Sequence, residues 1–114
     1  MSSEWQTVVE TPTYIRKAEL LLEVAARKII VDELAQNPEA GDLIPGGGGI
    51  RKIRFAAKGK GKSGGVRVIY YYHSEDVPLF LLSVYGKGQK ANLTAAETNS
   101  LAKAVKELAK SYGG

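Results

Sequence analysis

The sequence predicts an α+β domain: an antiparallel sheet with an N-terminal helical hairpin packed on one face and a C-terminal helix, in the order β-α-α-β-β-β-α. Three observations carry this. Residues 50–55 (IRKIRF), 66–72 (VRVIYYY) and 79–85 (LFLLSVY) alternate with the two-residue period of strands. Residues 14–36 instead repeat apolar side chains at spacings of three and four, the period of a helix. Thr94, with Glu97 three positions on, forms a capping box ahead of a run whose stripe is Leu101, Val105 and Leu108.

In chain order, residues 5–9 (WQTVV) read as a short first strand ended by Thr11-Pro12. Ile15, Ala18, Leu21, Leu22, Ala25, Ile29, Ile30 and Leu34 then mark two helices, with a break near residues 22–24. Asn37-Pro38 ends the second, because the residue before proline avoids the helical region. Residues 41–49 (GDLIPGGGG) read as a loop that consecutive glycines keep free of regular structure. In the strands that follow, Lys52 and Arg54 oppose Ile53 and Phe55. Arg67, Ile69 and Tyr71 oppose Val66, Val68 and Tyr70. Ser83 and Tyr85 oppose Phe80, Leu82 and Val84. An antiparallel sheet can leave one face to solvent, so Lys52, Arg54, Arg67, Tyr71, Ser83 and Tyr85 are expected on one open face. The last helix is expected to run to about Lys110, before Gly113-Gly114.

All 114 residues fit one domain, 1–114, with 44% apolar and 25% charged residues. There is no cysteine, hence no disulfide framework and no thiolate metal site. The first ten residues do not read as a signal peptide, the apolar runs are too short to span a bilayer, and a cytoplasmic location is expected. The net charge of +4 conceals an asymmetry. Between Leu43 and Ser74 there is no acidic residue, while Arg51, Lys52, Arg54, Lys58, Lys60, Lys62 and Arg67 supply seven positive charges. The remainder holds nine basic and twelve acidic residues, a net of −3. Such a concentration suits a phosphate-rich partner.

Two glycine motifs carry no function. Gly61-Lys62-Ser63 resembles the tail of a P-loop, but Ala56 stands where the first glycine belongs and a strand follows where a helix N-terminus is needed. Gly59, Gly61 and Gly64 match a kinase glycine loop without the other kinase motifs. The single histidine, His73, reads as a surface or hydrogen-bonded residue, and no metal or cofactor is expected. What remains is Lys52, Arg54 and Arg67 with Tyr71, Tyr85 and Lys87. A solvated hairpin face would look the same in composition. An RNA site would use arginine and lysine on phosphates and tyrosine on a base. Lys58, Lys60 and Lys62, on glycine-flanked backbone, suit a grip on phosphates.

The stretches GD-x-IPG (from Gly41), R-K-x-R (from Arg51), GK-x-GG-x-RVIYYY (from Gly61), LLSVYGK (from Leu81) and LT-x-x-E (from Leu93) resemble the RelE/ParE superfamily of bacterial toxins, nearest the HigB-like branch of RelE-type toxins. The resemblance implies the RelE-like fold and a ribosome-dependent endoribonuclease that cuts messenger RNA in the ribosomal A site without a metal. Its chemistry is attack of the ribose 2′-OH on the adjacent phosphate. By that resemblance Lys52, Arg54 and Arg67 match the family's basic strand positions, and Lys87 matches the basic position after the last strand approximately. Better-known RelE toxins carry a tyrosine after that strand, where this chain has Asn92-Leu93-Thr94, so Tyr85 is the nearest phenol. Lys52 is the expected base, since cationic neighbours favour a neutral amine. Arg54 and Arg67 are the expected clamps on the phosphate, and Arg51, Lys58, Lys60, Lys62 and Tyr71 the expected contacts to RNA and ribosome.

The resemblance further implies a cognate antitoxin, bound in an oligomeric complex. Either an acidic amphipathic segment covers the open face, meeting Ile69, Leu81 and Tyr71 among the cations, or the antitoxin wraps the outer helices. Two other functions remain open: a ParE-like, non-enzymatic poison of DNA gyrase, and a non-catalytic RNA- or ribosome-binding module.

Overall fold

The computed structural model describes residues 5–56, 65–86 and 93–112. They form an α+β domain with a mixed five-stranded sheet and three helices. The order is β1 (Val8–Glu10), α1 (Pro12–Leu21), α2 (Val24–Gln36), β2 (Asp42–Leu43), β3 (Ile50–Phe55), β4 (Val66–Tyr71), β5 (Leu79–Gly86) and α3 (Ala95–Ser111). Across the sheet the strands run β1-β5-β4-β3-β2. Among the described residues no helix is long and apolar enough to cross a membrane.

The predicted class and helices are present, and four details differ. The first strand is Val8–Glu10, three residues paired parallel with Leu79, Phe80 and Leu81, so the sheet is mixed. Residues before it have other partners: the Gln6 amide donates to the Val77 carbonyl at 2.7 Å and its backbone N–H to Ala35 at 2.8 Å. Trp5 is 56% exposed. Second, the glycine loop contains an edge strand. Asp42 and Leu43 pair with Lys52 and Arg51, and the hairpin closes through Gly46, Gly48 and Gly49, all at positive φ, where glycine carries no Cβ penalty.

Third, the sheet has no open face along its whole length. Tyr14, Ala18, Leu21, Leu22, Ile30 and Leu34 of the helical hairpin pack on Val66, Val68, Tyr70, Leu79, Leu81 and Val84. On the other side Val105 and Ala109 of α3 pack with Ile50, Ile69, Tyr71, Phe80, Leu82 and Tyr85. The Leu101–Val105–Leu108 stripe has to be covered by something apolar, and α1 and α2 already occupy the first face. Ile69, Leu81, Tyr71, Ser83 and Tyr85 are therefore buried. The mixed apolar and basic docking face expected for an antitoxin does not exist there.

Fourth, β5 changes parity. Ser83 opposes Ile69 and Leu81 opposes Tyr70, which leaves Leu82 as the extra residue of a bulge. Leu79, Leu81 and Val84 consequently face α1 and α2, whereas Phe80, Leu82 and Tyr85 face the side of α3.

Local chemistry holds the helix ends. Thr11 caps α1 by accepting from the Tyr14 N–H, and its hydroxyl donates to the Leu81 carbonyl at 2.8 Å, tying the helix to β5. At α3 the box is complete: Glu97 N–H donates to Thr94 Oγ1 at 3.1 Å, and Thr94 N–H to Glu97 Oε1 at 2.8 Å.

Candidate RNA-binding site

Period-two alternation along β3 turns Ile53 and Phe55 toward α1 and α2, leaving Lys52 and Arg54 on the opposite side. In the ladder Arg54 stands directly opposite Arg67, and Arg67 directly opposite Tyr85. Opposed residues share a face, with Cβ atoms about 4.5–5.5 Å apart. Arg54–Arg67–Tyr85 is thus one row across β3, β4 and β5, buried at its Tyr85 end in the cluster under α3 and exposed at its Arg54 end. In the next row Lys52 opposes Ile69 on one side and Asp42 on the other.

The two arginines differ in setting. Arg54 is exposed and Arg67 half-buried. Among the described residues neither makes an ion pair. Arg67 Nη1 is shut off from solvent with no hydrogen-bond partner among those residues. Like charges directly opposed weaken a sheet, and a buried donor without an acceptor costs about 1–3 kcal/mol. An anion laid across the row relieves the repulsion between the two guanidinium groups. Tyr85 is buried beneath the same row, 4% exposed.

Lys52 lines a cleft of about 490 Å³ between the β2 hairpin and the start of α3, together with Asp42, Ile44, Leu93, Thr98 and Asn99. Asp42 was missed at the sequence level because glycines hid its strand; Thr98 and Asn99 reach the cleft only through the docking of α3.

Other expected contacts lie elsewhere. Arg51 falls on the opposite side of β3 from Lys52 and Arg54. Its guanidinium donates to the carbonyls of Gly41 at 2.7 Å and Glu39 at 3.2 Å, so it braces the approach to β2. Tyr71 was expected to offer its ring to a base, but it is 3% exposed beneath α3. Tyr70 is core, as expected: its hydroxyl accepts from Gly41 N–H and donates to the Pro38 carbonyl, both at 2.8 Å. Burial raises its pKa, against an opposing effect of the Gly41 hydrogen bond. His73 is exposed, 3.2 Å from Ser74 Oγ through Nδ1. Lys58, Lys60, Lys62 and Lys87 lie outside the described residues. Among the described residues no three His, Cys, Asp or Glu side chains gather as metal ligands would.

The structure therefore brings Lys52, Arg54, Arg67 and Tyr85 onto one side of the sheet, with Tyr71 on that same side but buried under α3, and places Arg51 on the other. A comparison with protein families adds one finding. The profile described as the RelE toxin of the RelE/RelB toxin–antitoxin system matches residues 15–113.

Proposed function

Because the chain belongs to the RelE toxin family, and is thereby a toxin of a toxin–antitoxin system, we propose that it is a ribosome-dependent endoribonuclease cutting translated messenger RNA in the ribosomal A site. The observation that carries the reading is the Arg54–Arg67 pair, two guanidinium groups opposed on adjacent strands with Arg67 Nη1 lacking an acceptor. The HigB-like branch is supported by the GD-x-IPG and R-K-x-R stretches.

In the proposed reaction the ribose 2′-oxygen bonds to the adjacent phosphorus while the bond from phosphorus to the 5′-oxygen breaks. The products are a cyclic phosphate and a 5′-hydroxyl. Lys52, beside the row, takes the proton of the 2′-OH, and Arg54 and Arg67 hold the crowded, doubly charged phosphorane. The leaving 5′-oxygen takes its proton from Lys87, just beyond β5, since the Tyr85 hydroxyl is shut off from the surface. The reading needs no cofactor and puts the protein in the cytoplasm with the ribosomes. Lys58, Lys60 and Lys62 serve as phosphate contacts on the ribosome.

The family implies an antitoxin. With α1 and α2 on one face and α3 over the apolar part of the other, its contact is assigned to the outer helices, where Leu20, Val24 and Ile29 are 76%, 79% and 62% exposed. Beside them Ala25, Ile29, Ile30 and Phe55 line an apolar cleft of about 330 Å³.

Primer extension on messages from cells expressing the toxin tests the proposal. Cuts phased to codons, present only on translated RNA and absent with Arg67→Ala, are the expected result. Intact messages accompanied by a DNA-damage response would replace it with gyrase poisoning.

A further inference from the structure

The cleft beside Lys52 has a neighbour along α3. A second cleft of about 510 Å³, which shares Gly46 as a wall with the first, lies between the glycine turn and the far half of α3. Lys103, Lys106 and Lys110 line this second part, with His73, Gly46 and Gly48. The lysines stand at i, i+3 and i+7, hence on one helix face. All three are exposed, and among the described residues none is in an ion pair. Among the described residues no carboxylate lines this second cleft. A cation near a helix C-terminus complements the dipole, which accounts for Lys110 in the last turn but not for Lys103 two turns earlier.

We propose that these two adjacent clefts along α3 together form a track for the phosphodiester backbone of RNA, with Lys103, Lys106 and Lys110 on successive phosphates and Lys52 at the end nearest the Arg54–Arg67 pair. The dimensions agree. Lys103 to Lys110 spans about 10 Å of helix, against about 7 Å for the two steps between three stacked phosphates at roughly 3.4 Å each, a difference that long lysine side chains span. An acidic protein segment fits less well. It would need apolar anchoring beside its charges, and the lysine cleft is walled by alanine, glycine and a Tyr71 ring already 3% exposed. The inference rests on the endoribonuclease reading only for the choice of RNA among polyanions.

The test measures binding, so it does not depend on cleavage. The affinity of the purified toxin is followed over a salt series for a short 2′-O-methyl oligonucleotide, which cannot be cut, and for ribosomes. The combined Lys103→Gln, Lys106→Gln and Lys110→Gln variant should lower the slope of log affinity against log salt by about 2, at roughly 0.7 per phosphate contact. The corresponding triple arginine variant should keep the slope, and so should Lys28→Gln, whose lysine sits outside the groove beside Asp32. A drop with the oligonucleotide identifies a single strand in the track, and a drop with ribosomes alone identifies ribosomal RNA; both support the proposal. An unchanged slope on both ligands overturns it, as does weakened antitoxin binding with the RNA slopes intact. If the wild type never cuts messages while the slope still falls, the cleavage reading fails and the groove stands. Normal cutting with unchanged slopes removes the groove alone.

Discussion

Arg54 on β3 and Arg67 on β4 stand directly opposite each other, with no carboxylate bonded to either among the described residues. In a sheet selected for stability alone, one of the two positions would hold an acid or an uncharged residue, since opposed like charges are unfavourable. The pair makes sense as a place where an anion completes the structure. Function and stability should therefore separate at these positions.

Arg67→Ala should lower messenger cleavage by about 10²–10³-fold, the usual effect of removing one transition-state contact. Arg54→Gln should abolish toxicity while leaving stability unchanged or raising it by a few tenths of a kcal/mol, the low end of what a cross-strand pair contributes. Thermal denaturation beside a primer-extension assay measures both. An Arg54→Gln protein that loses both activity and fold would make the arginine structural.

Alkaline stability should fall in a definite window. Burial raises the Tyr14 pKa strongly, with Glu10 adding to it, and burial also raises that of Tyr70. Each phenol is thus more easily ionised in the unfolded chain, at about pH 10. Stability is fully present below that value and is lost as pH rises toward the folded values, by up to about 1.4 kcal/mol per pH unit per phenol. Among the described residues Tyr14 Oη has no hydrogen-bond partner, so Tyr14→Phe should cost little at neutral pH and flatten the alkaline loss. Unfolding curves at several pH values, with tyrosinate absorbance, give the comparison; an unaltered alkaline slope in Tyr14→Phe would contradict it.

Thr94→Ala should cost about 1 kcal/mol by removing the cap of α3. At this size that lowers the melting temperature by about 4 °C. The loss should concentrate in α3 and the side chains under it, so hydrogen exchange should quicken in the first turns of that helix before the β4–β5 core. Uniform acceleration would mean that α3 does not open separately.

Ile29→Asp, on the outer face of α2, should weaken co-purification of the antitoxin encoded beside the toxin while leaving ribosome-dependent cleavage in place. The position is 62% exposed, so the fold should tolerate the change. Full antitoxin binding by this variant would move the contact away from the helical hairpin.

Periodicity alone determined most of the architecture. Three strands, three helices and the Thr94–Glu97 box were legible because each depends on residues within a few positions of one another. The alternation of Lys52 and Arg54 with Ile53 and Phe55 was likewise local, and it placed those cations on one side. Whether that side was open was not local. An apolar stripe on a helix says that it must be buried, not which face buries it, and only the docking of α3 decided that Tyr71 and Ile69 lie in core. Pairing decided the rest. Val8–Glu10 is a strand because Leu79–Leu81 runs beside it; Asp42 meets Lys52 because a glycine hairpin closes; and the Leu82 bulge reverses the faces of β5. The Arg54–Arg67 opposition also exists only in the register. Two arginines thirteen positions apart carry no mark of being neighbours until the hydrogen bonds of two antiparallel strands align them.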